Sequence, residues 1–97
     1  VTGAVDVIRR GEGRFFVGDD PAQALAEITF TREAGGRIVI DHTRVSELMK
    51  GRGLGSSLVM EVVALARSEG ITIRPVCPFA KKLLEDPACA DVLYRED

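Results

Sequence analysis

A β-branched stretch, then three alternating glycines, then a long apolar helical face: this succession most constrains what the chain can fold into. In "LMKGRGLGSSLV", residues 48–59, glycines stand at 51, 53 and 55. Lys50 and Arg52 flank the first glycine, and Ser56 and Ser57 precede the apolar run. Upstream, residues 37–45 read as a strand rich in β-branched side chains. Downstream, Leu58, Val62 and Leu65, with Val59, Val63 and Ala66, recur at helical spacing. The polar stripe between them is narrow, made of Ser57, Glu61 and Ser68. A helix apolar over so much of its circumference has to lie on a sheet, and Gly70 suits its C-terminal stop. Residues 71–76 then form another strand. The unit is a βαβ crossover, expected to be right-handed, with the glycines at its first joint.

The first half of the chain keeps period two. Residues 5–9 and 14–17 read as a hairpin around the turn at residues 10–13. Gly18-Asp19-Asp20-Pro21 is a turn. Residues 22–32 alternate, with Ala24, Ala26, Ile28 and Phe30 on one side and Leu25, Glu27, Thr29 and Thr31 on the other. Gly35-Gly36 closes the next hairpin onto the strand at residues 37–45. A short helix over residues 79–84, a last helical turn over residues 88–94 and a solvated end at residues 95–97 complete the reading. The fold class is α/β in the α+β sense: a mixed, mainly antiparallel sheet with one βαβ unit and two main helices, in a single domain over residues 1–97.

Glycines turn backbone N–H groups toward a ligand without an intervening Cβ. At a helix start those N–H groups lack partners and carry partial positive charge. The joint is therefore suited to a phosphate or pyrophosphate. Spacing excludes two nucleotide-binding motifs. No glycine precedes Lys-Ser or Lys-Thr, as a P-loop requires, and GxGxxG fails from both Gly51 and Gly53. A tight connector with no ligand is the alternative.

A net charge of −2 gives no general attraction to nucleic acid or membrane surfaces. No apolar run is long enough to span a membrane, and no signal-peptide pattern opens the chain. The start at Val1 implies a removed initiator Met or a trimmed beginning. Two cysteines and one histidine are too few for a disulfide scaffold or a metal site. The expected compartment is the cytoplasm.

The glycine loop also resembles the acyl-CoA signature of the GCN5-related N-acetyltransferases, Gln/Arg-x-x-Gly-x-Gly/Ala, read here as Lys50-Gly51-Arg52-Gly53-Leu54-Gly55. More of the chain resembles the small single-domain members of that superfamily. Their hallmarks are a strand ending in His-Thr-x-Val, the loop, and Pro-x-Cys-Pro-Phe/Tyr. Here these are His42-Thr43-Arg44-Val45, the loop, and Pro75-Val76-Cys77-Pro78-Phe79. Ser46 stands where proline is common. The resemblance implies acetyl-CoA as co-substrate, its pyrophosphate on Lys50, Gly51, Arg52, Gly53, Leu54, Gly55 and Ser56. Its pantetheine arm would run along the strand backbone at Thr43, Arg44 and Val45. The cofactor would enter where that strand parts from the strand at residues 71–76. The small members lack the N-terminal helices that shape the acceptor side, so an open acceptor face is implied.

Two residues are candidates for the chemistry. His42 can take a proton at neutral pH, and the resemblance implies that it lies near the reactive end of the cofactor. On a regular strand it shares a face with Ile38 and Ile40, and a purely structural role is the alternative. Cys77 is either a small buried hydrophobe or, as the resemblance implies, a group near the acetyl. It could protonate the departing thiolate or carry the acetyl itself. Cys89 reads as structural, Lys81 and Lys82 as solvated or in contact with a CoA phosphate, and Phe15, Phe16, Phe30 and Phe79 as core. Glu27 is a general base only in principle. The expected activity is acetyl transfer to an amine. The alternatives are a non-catalytic acyl-CoA-binding module and a small interaction domain without a ligand. The acceptor and the oligomeric state, monomer included, stay open.

Overall fold

The structure, a computed structural model, describes residues 8–18 and 20–94. The predicted strand at residues 5–9 and the turn at Asp19 lie partly or wholly outside them, as does the chain end at residues 95–97. Five strands form one sheet in sequential order: β1 (Ile8–Gly11), β2 (Arg14–Val17), β3 (Ala26–Arg32), β4 (Ile38–Val45) and β5 (Ile73–Pro75). The first four pair antiparallel, and β4 pairs β5 in parallel. Helix α1 (Leu54–Glu69) makes the crossover, and α2 (Pro78–Leu84) follows β5. The mixed sheet and its two helices are as the sequence predicts.

Alternation decides the inner face. Phe15 and Val17 of β2, Ala26, Ile28 and Phe30 of β3, and Ile38 and Ile40 of β4 pack with Leu58, Val59, Val62, Val63 and Ala66 of α1. Phe15 and Phe30 meet edge to face, with centroids 5.0 Å apart. Phe16 is also buried, but its side chain leaves the opposite face, where the Arg14 guanidinium stands 4.5 Å from its ring centre.

The structure departs from the sequence reading at three features besides the shorter β5 (Ile73–Pro75, not residues 71–76). The alternating stretch does not begin at residue 22. Asp20 accepts a hydrogen bond from the Ala22 N–H at 2.9 Å and caps a 3-10 turn over Pro21–Gln23. The expected helical turn near the end is only the 3-10 turn Pro87–Cys89, after which Leu93 bridges to Ile73. There the Ile73 N–H donates to Val92 O and the Tyr94 N–H to Ile73 O, covering the outer edge of β5.

The third difference concerns β4. Its register against β3 shifts between Thr29 and Phe30: Thr29 opposes His42, but Phe30 opposes Ile40. Asp41 is the extra residue of a β-bulge, and the bulge reverses the facing of everything after it. Thr43 and Val45, opposite Ile28 and Ala26, now continue the inner face. His42 and Arg44 leave the outer face. His42 therefore does not share a face with Ile38 and Ile40, as regular alternation predicts.

Gly70 ends α1 in the left-handed region, φ +67°, with its N–H shared between Ala66 O and Arg67 O. Ion pairs fasten the layers. Arg32 grips Glu69 with two bonds of 2.6 and 2.9 Å, Arg67 holds Asp91, and Glu33 joins Arg37 to Arg74.

Gly70→Ala forces a Cβ into a left-handed backbone. It should cost about 1–2 kcal/mol and lower the thermal midpoint by several degrees, read by circular dichroism. A second expectation concerns acid. Hydrogen bonds from Arg74 and Arg37 hold the Glu33 carboxyl below its usual range, and Arg32 and Arg67 do the same to Glu69 and Asp91. These depressed values add stability that is complete above about pH 4, the ordinary carboxylate range, and is lost as pH falls through the lowered native values. Melting midpoints should hold steady from pH 7 to pH 5 and fall below pH 4, less steeply for Glu69→Gln.

Candidate active site

The glycines at the start of α1 serve two physical needs. Gly51 and Gly53 have φ of +87° and +73°, a conformation side chains resist. Gly55 has ordinary helical dihedrals but no room: a Cβ there would lie 3.0 Å from two ring carbons of Phe79 and 3.7 Å from Val45 Cγ2. Gly53 caps the helix and supplies no side-chain acceptor. The N–H groups of Leu54, Gly55 and Ser56 thus have no partner within the helix. A pocket of about 290 Å³ opens at this helix start. Val45, Met49, Lys50 and Phe79 wall it, and Gly51, Gly53, Leu54, Gly55 and Ser56 complete its lining.

The loop from β4 to α1 is anchored before it reaches the glycines. Ser46 accepts from the Leu48 N–H at 3.3 Å, starting a 3-10 turn over Glu47–Met49. Met49 is buried while Leu48 is 85% exposed. Lys50 Nζ meets Glu47 Oε1 at 2.8 Å and draws that carboxyl below its usual range. The lysine beside the pocket thus already carries an intramolecular counter-charge. Arg52 is exposed in the same loop.

Beside the pocket the sheet opens. The parallel register of β4 with β5 runs from Ile38↔Ile73 to Ile40↔Pro75 and stops. Pro75 shares the outer-edge side of the strand with Ile73, so the bond to β4 comes from the next residue, Val76. The Val76 N–H makes the last ladder bond, to Ile40 O at 3.0 Å, and the Cys77 N–H shares that acceptor at 3.2 Å instead of reaching further along β4. Past this point the β5-side edge of β4, from Asp41 to Val45, has no strand partner among the described residues. Thr43 and Val45 belong to this open segment and turn inward. The Arg44 side chain turns outward, donating to Ala24 O at 3.2 Å and lying 3.7 Å from Glu27. Only the backbone of Arg44 is on the open edge.

Cys77 stands at the mouth of the opening, as the N-terminal cap of α2. It is 8% exposed. Its Sγ donates to Thr43 Oγ1 across the gap, at 3.6 Å. Burial pushes the thiol up, but hydrogen bonds that favour the thiolate, from the Ala80 backbone, from the Thr43 hydroxyl once it rotates to donate, and from the Phe79 and Thr43 backbones, outweigh it, so the net direction is down. His42 is exposed on the outer face, opposite Thr29. The two candidates therefore approach the end of the opening from opposite faces of the sheet. That outer face carries no helix among the described residues, since α1 packs on the inner face.

Several features escaped the sequence reading. Phe79 is 45% exposed rather than core, and it walls the glycine pocket; its place in Pro-x-Cys-Pro-Phe was the available signal. Glu27 does have partners, Arg14 and Arg44, which only the pairing of three strands brings together. Lys81 and Lys82 are exposed, and Cys89 is buried in the core. A larger groove, about 670 Å³, runs along α2 past Phe79, Lys82 and Leu83. It touches neither Cys77 nor the glycine loop, so the smaller pocket is the better candidate.

Residues 14–92 match the GCN5-related N-acetyl-transferase family. Among solved structures, a GCN5-like protein from Staphylococcus aureus is 40% identical, with a TM-score of 0.78. The match covers 97% of this chain and 93% of that one. An acetyltransferase from Trypanosoma brucei shares the fold at 24% identity and TM-score 0.51, over 72% of this chain and 58% of its own. A predicted acetyltransferase from Clostridium acetobutylicum, solved with acetyl-CoA, does so at 14% identity and TM-score 0.54, over 87% and 58%. No protein of curated function matches the sequence. The profile match over most of the chain and the similarity to the staphylococcal protein establish that the chain belongs to the GCN5-related N-acetyltransferase family.

Proposed function

We propose that the chain is an acetyl-CoA-dependent N-acetyltransferase acting on an amine. One observation carries the reading: a strand edge with no strand partner among the described residues, residues 41–45, leads to a helix start whose N–H groups lack partners within the helix, and a cysteine stands at the mouth between them. An elongated ligand with an anionic middle and a reactive end suits that arrangement. The clostridial structure of the same fold was solved with acetyl-CoA.

Acetyl-CoA supplies an acyl group activated as a thioester. The N–H groups of Leu54, Gly55 and Ser56, with Gly51, Gly53, Lys50 and Arg52 around them, would bind its pyrophosphate. The Thr43, Arg44 and Val45 backbone would pair with the pantetheine arm. His42, on the uncovered face, takes a proton from the incoming amine as the N–C bond forms. Cys77 gives its thiol proton to the departing sulfur as the C–S bond breaks. Proton exchange with water then restores both. Holding the reactants in place supplies much of the rate, and acid–base help adds roughly 10²–10⁴-fold. An acyl-Cys77 intermediate is the second mechanism. A non-catalytic acyl-CoA-binding module is the second function, favoured by one observation: among the described residues, no helix encloses an acceptor pocket over His42.

Acetyl-CoA at 100-fold excess over Kd should add about 2.7 kcal/mol of stability, a rise of several degrees in the melt. Gly55→Ala should keep a midpoint near the parent's, because the helix gain of about 1 kcal/mol offsets the crowding against a half-exposed Phe79. The added methyl should nevertheless reduce the acetyl-CoA shift. No shift for the parent would remove the cofactor assignment. For catalysis, release of free CoA with a panel of amines should fall by roughly 10²–10⁴-fold in His42→Ala and in Cys77→Ala. Parent-like rates in both variants would exclude these two as the acid–base pair. Binding without turnover would select the non-catalytic module.

A further inference from the structure

Thr43 is one of the residues given a backbone role above, yet its side chain has its own contact. The bulge at Asp41 turns that side chain inward, opposite the fully buried Ile28. It meets Cys77 Sγ at 3.6 Å, across the gap where β4 and β5 no longer pair. We propose that Thr43 is a positioning residue for Cys77, its hydroxyl holding the sulfur across the opening and changing from acceptor to donor when the sulfur gives up its proton. The proposal rests on the reading of Cys77 as a working thiol.

Both partners are held in place independently of each other. Cys77 is fixed through its N–H on Ile40 O at 3.2 Å and its carbonyl, which accepts from the Lys81 N–H at 2.9 Å. Pro78 restricts the cysteine from the other side. Thr43 is β-branched, on a paired strand, with few rotamers open to it. A hydroxyl suits the task because it can accept from S–H and, after rotation, donate to S⁻. The sulfur can therefore lose a proton to a departing thiolate, or act as a nucleophile, without losing its partner.

Among the described residues, no ion pair is formed by Cys77, whose side-chain partner is the Thr43 hydroxyl. The ionisable residues of the elements that meet there are Asp41, His42 and Arg44 of β4, Arg74 of β5, and Lys81 and Lys82 of α2, with the Arg44 side chain turned away to Ala24 O and Glu27. The lowering of Cys77 comes from hydrogen bonds, the Thr43 hydroxyl among them, acting against burial. Removing the Thr43 hydroxyl should thus move the thiol upward.

The test is the pH dependence of Cys77 alkylation by iodoacetamide in the full chain, with the modified peptide quantified by mass spectrometry. Buried Cys89 serves as the internal control. Thr43→Val keeps the side-chain shape and should raise the midpoint of the alkylation profile by about one pH unit. Thr43→Ser should restore the parent profile. If Thr43→Val fails to fold, Thr43→Ala is measured in its place with the same expectation. A parent-like profile in the valine or alanine variant overturns the proposal, as does a serine profile shifted equally far. The assay contains no acetyl-CoA, so a protein that transfers nothing can still satisfy it. An active enzyme whose profile ignores Thr43 refutes this inference alone.

Discussion

The parallel pairing of β4 with β5 is the interaction on which the rest of the arrangement depends, and it lasts only three residues on each strand. It closes the β4–α1–β5 crossover, whose helix lays its apolar face on β2, β3 and β4. Its early end matters equally. The N–H groups of Val76 and Cys77 converge on the single carbonyl of Ile40, and neither reaches past it along β4. The chain then leaves the sheet as α2 rather than continuing beside β4. Everything assigned to the candidate site lies on the rim of the gap this creates: the inward residues of β4, the cysteine at the turn, and the loop at its far end.

The bulge at Asp41 makes the gap asymmetric. One extra residue sends Thr43 and Val45 toward the helices and His42 and Arg44 toward the uncovered face. Without it, the histidine would point into the core beneath α1, and threonine would face outward, away from Cys77. Burial then separates the two candidate groups. Cys77 is nearly enclosed, where hydrogen bonds act at low dielectric and bear strongly on its ionisation. His42 stays in contact with water. A site combining a shielded sulfur with an accessible base requires both the interrupted pairing and the reversed facing.

Much of the fold was legible in the residues. The alternation of β3, the β-branched run of β4 and the wide apolar face of α1 are periodic signals, and periodicity is what burial imposes on a sequence. The glycine loop was legible for a related reason, since glycine marks where a backbone must turn left-handed or come close. What escaped had no local signal. Asp41 looks like any polar residue of a strand, and its role as the extra residue exists only against the register of β3. The partners of Glu27 come from two other strands. Phe79 is aromatic and was read as core, but its exposure is decided by how α2 sits over Gly55.

By itself the sequence determined the order of elements, the faces of the regular strands and helix, and the family, because each rests on spacing along one chain or on motifs a few residues long. The tertiary structure decided which face His42 takes, that Thr43 meets Cys77, and that the edge of β4 is open beside the glycines. Those outcomes depend on register and on the point where two distant strands stop pairing. The first is set by the pairing of β3 with β4 across a hairpin, the second by hydrogen bonds between segments about 35 residues apart, and neither leaves a pattern within one segment of the sequence.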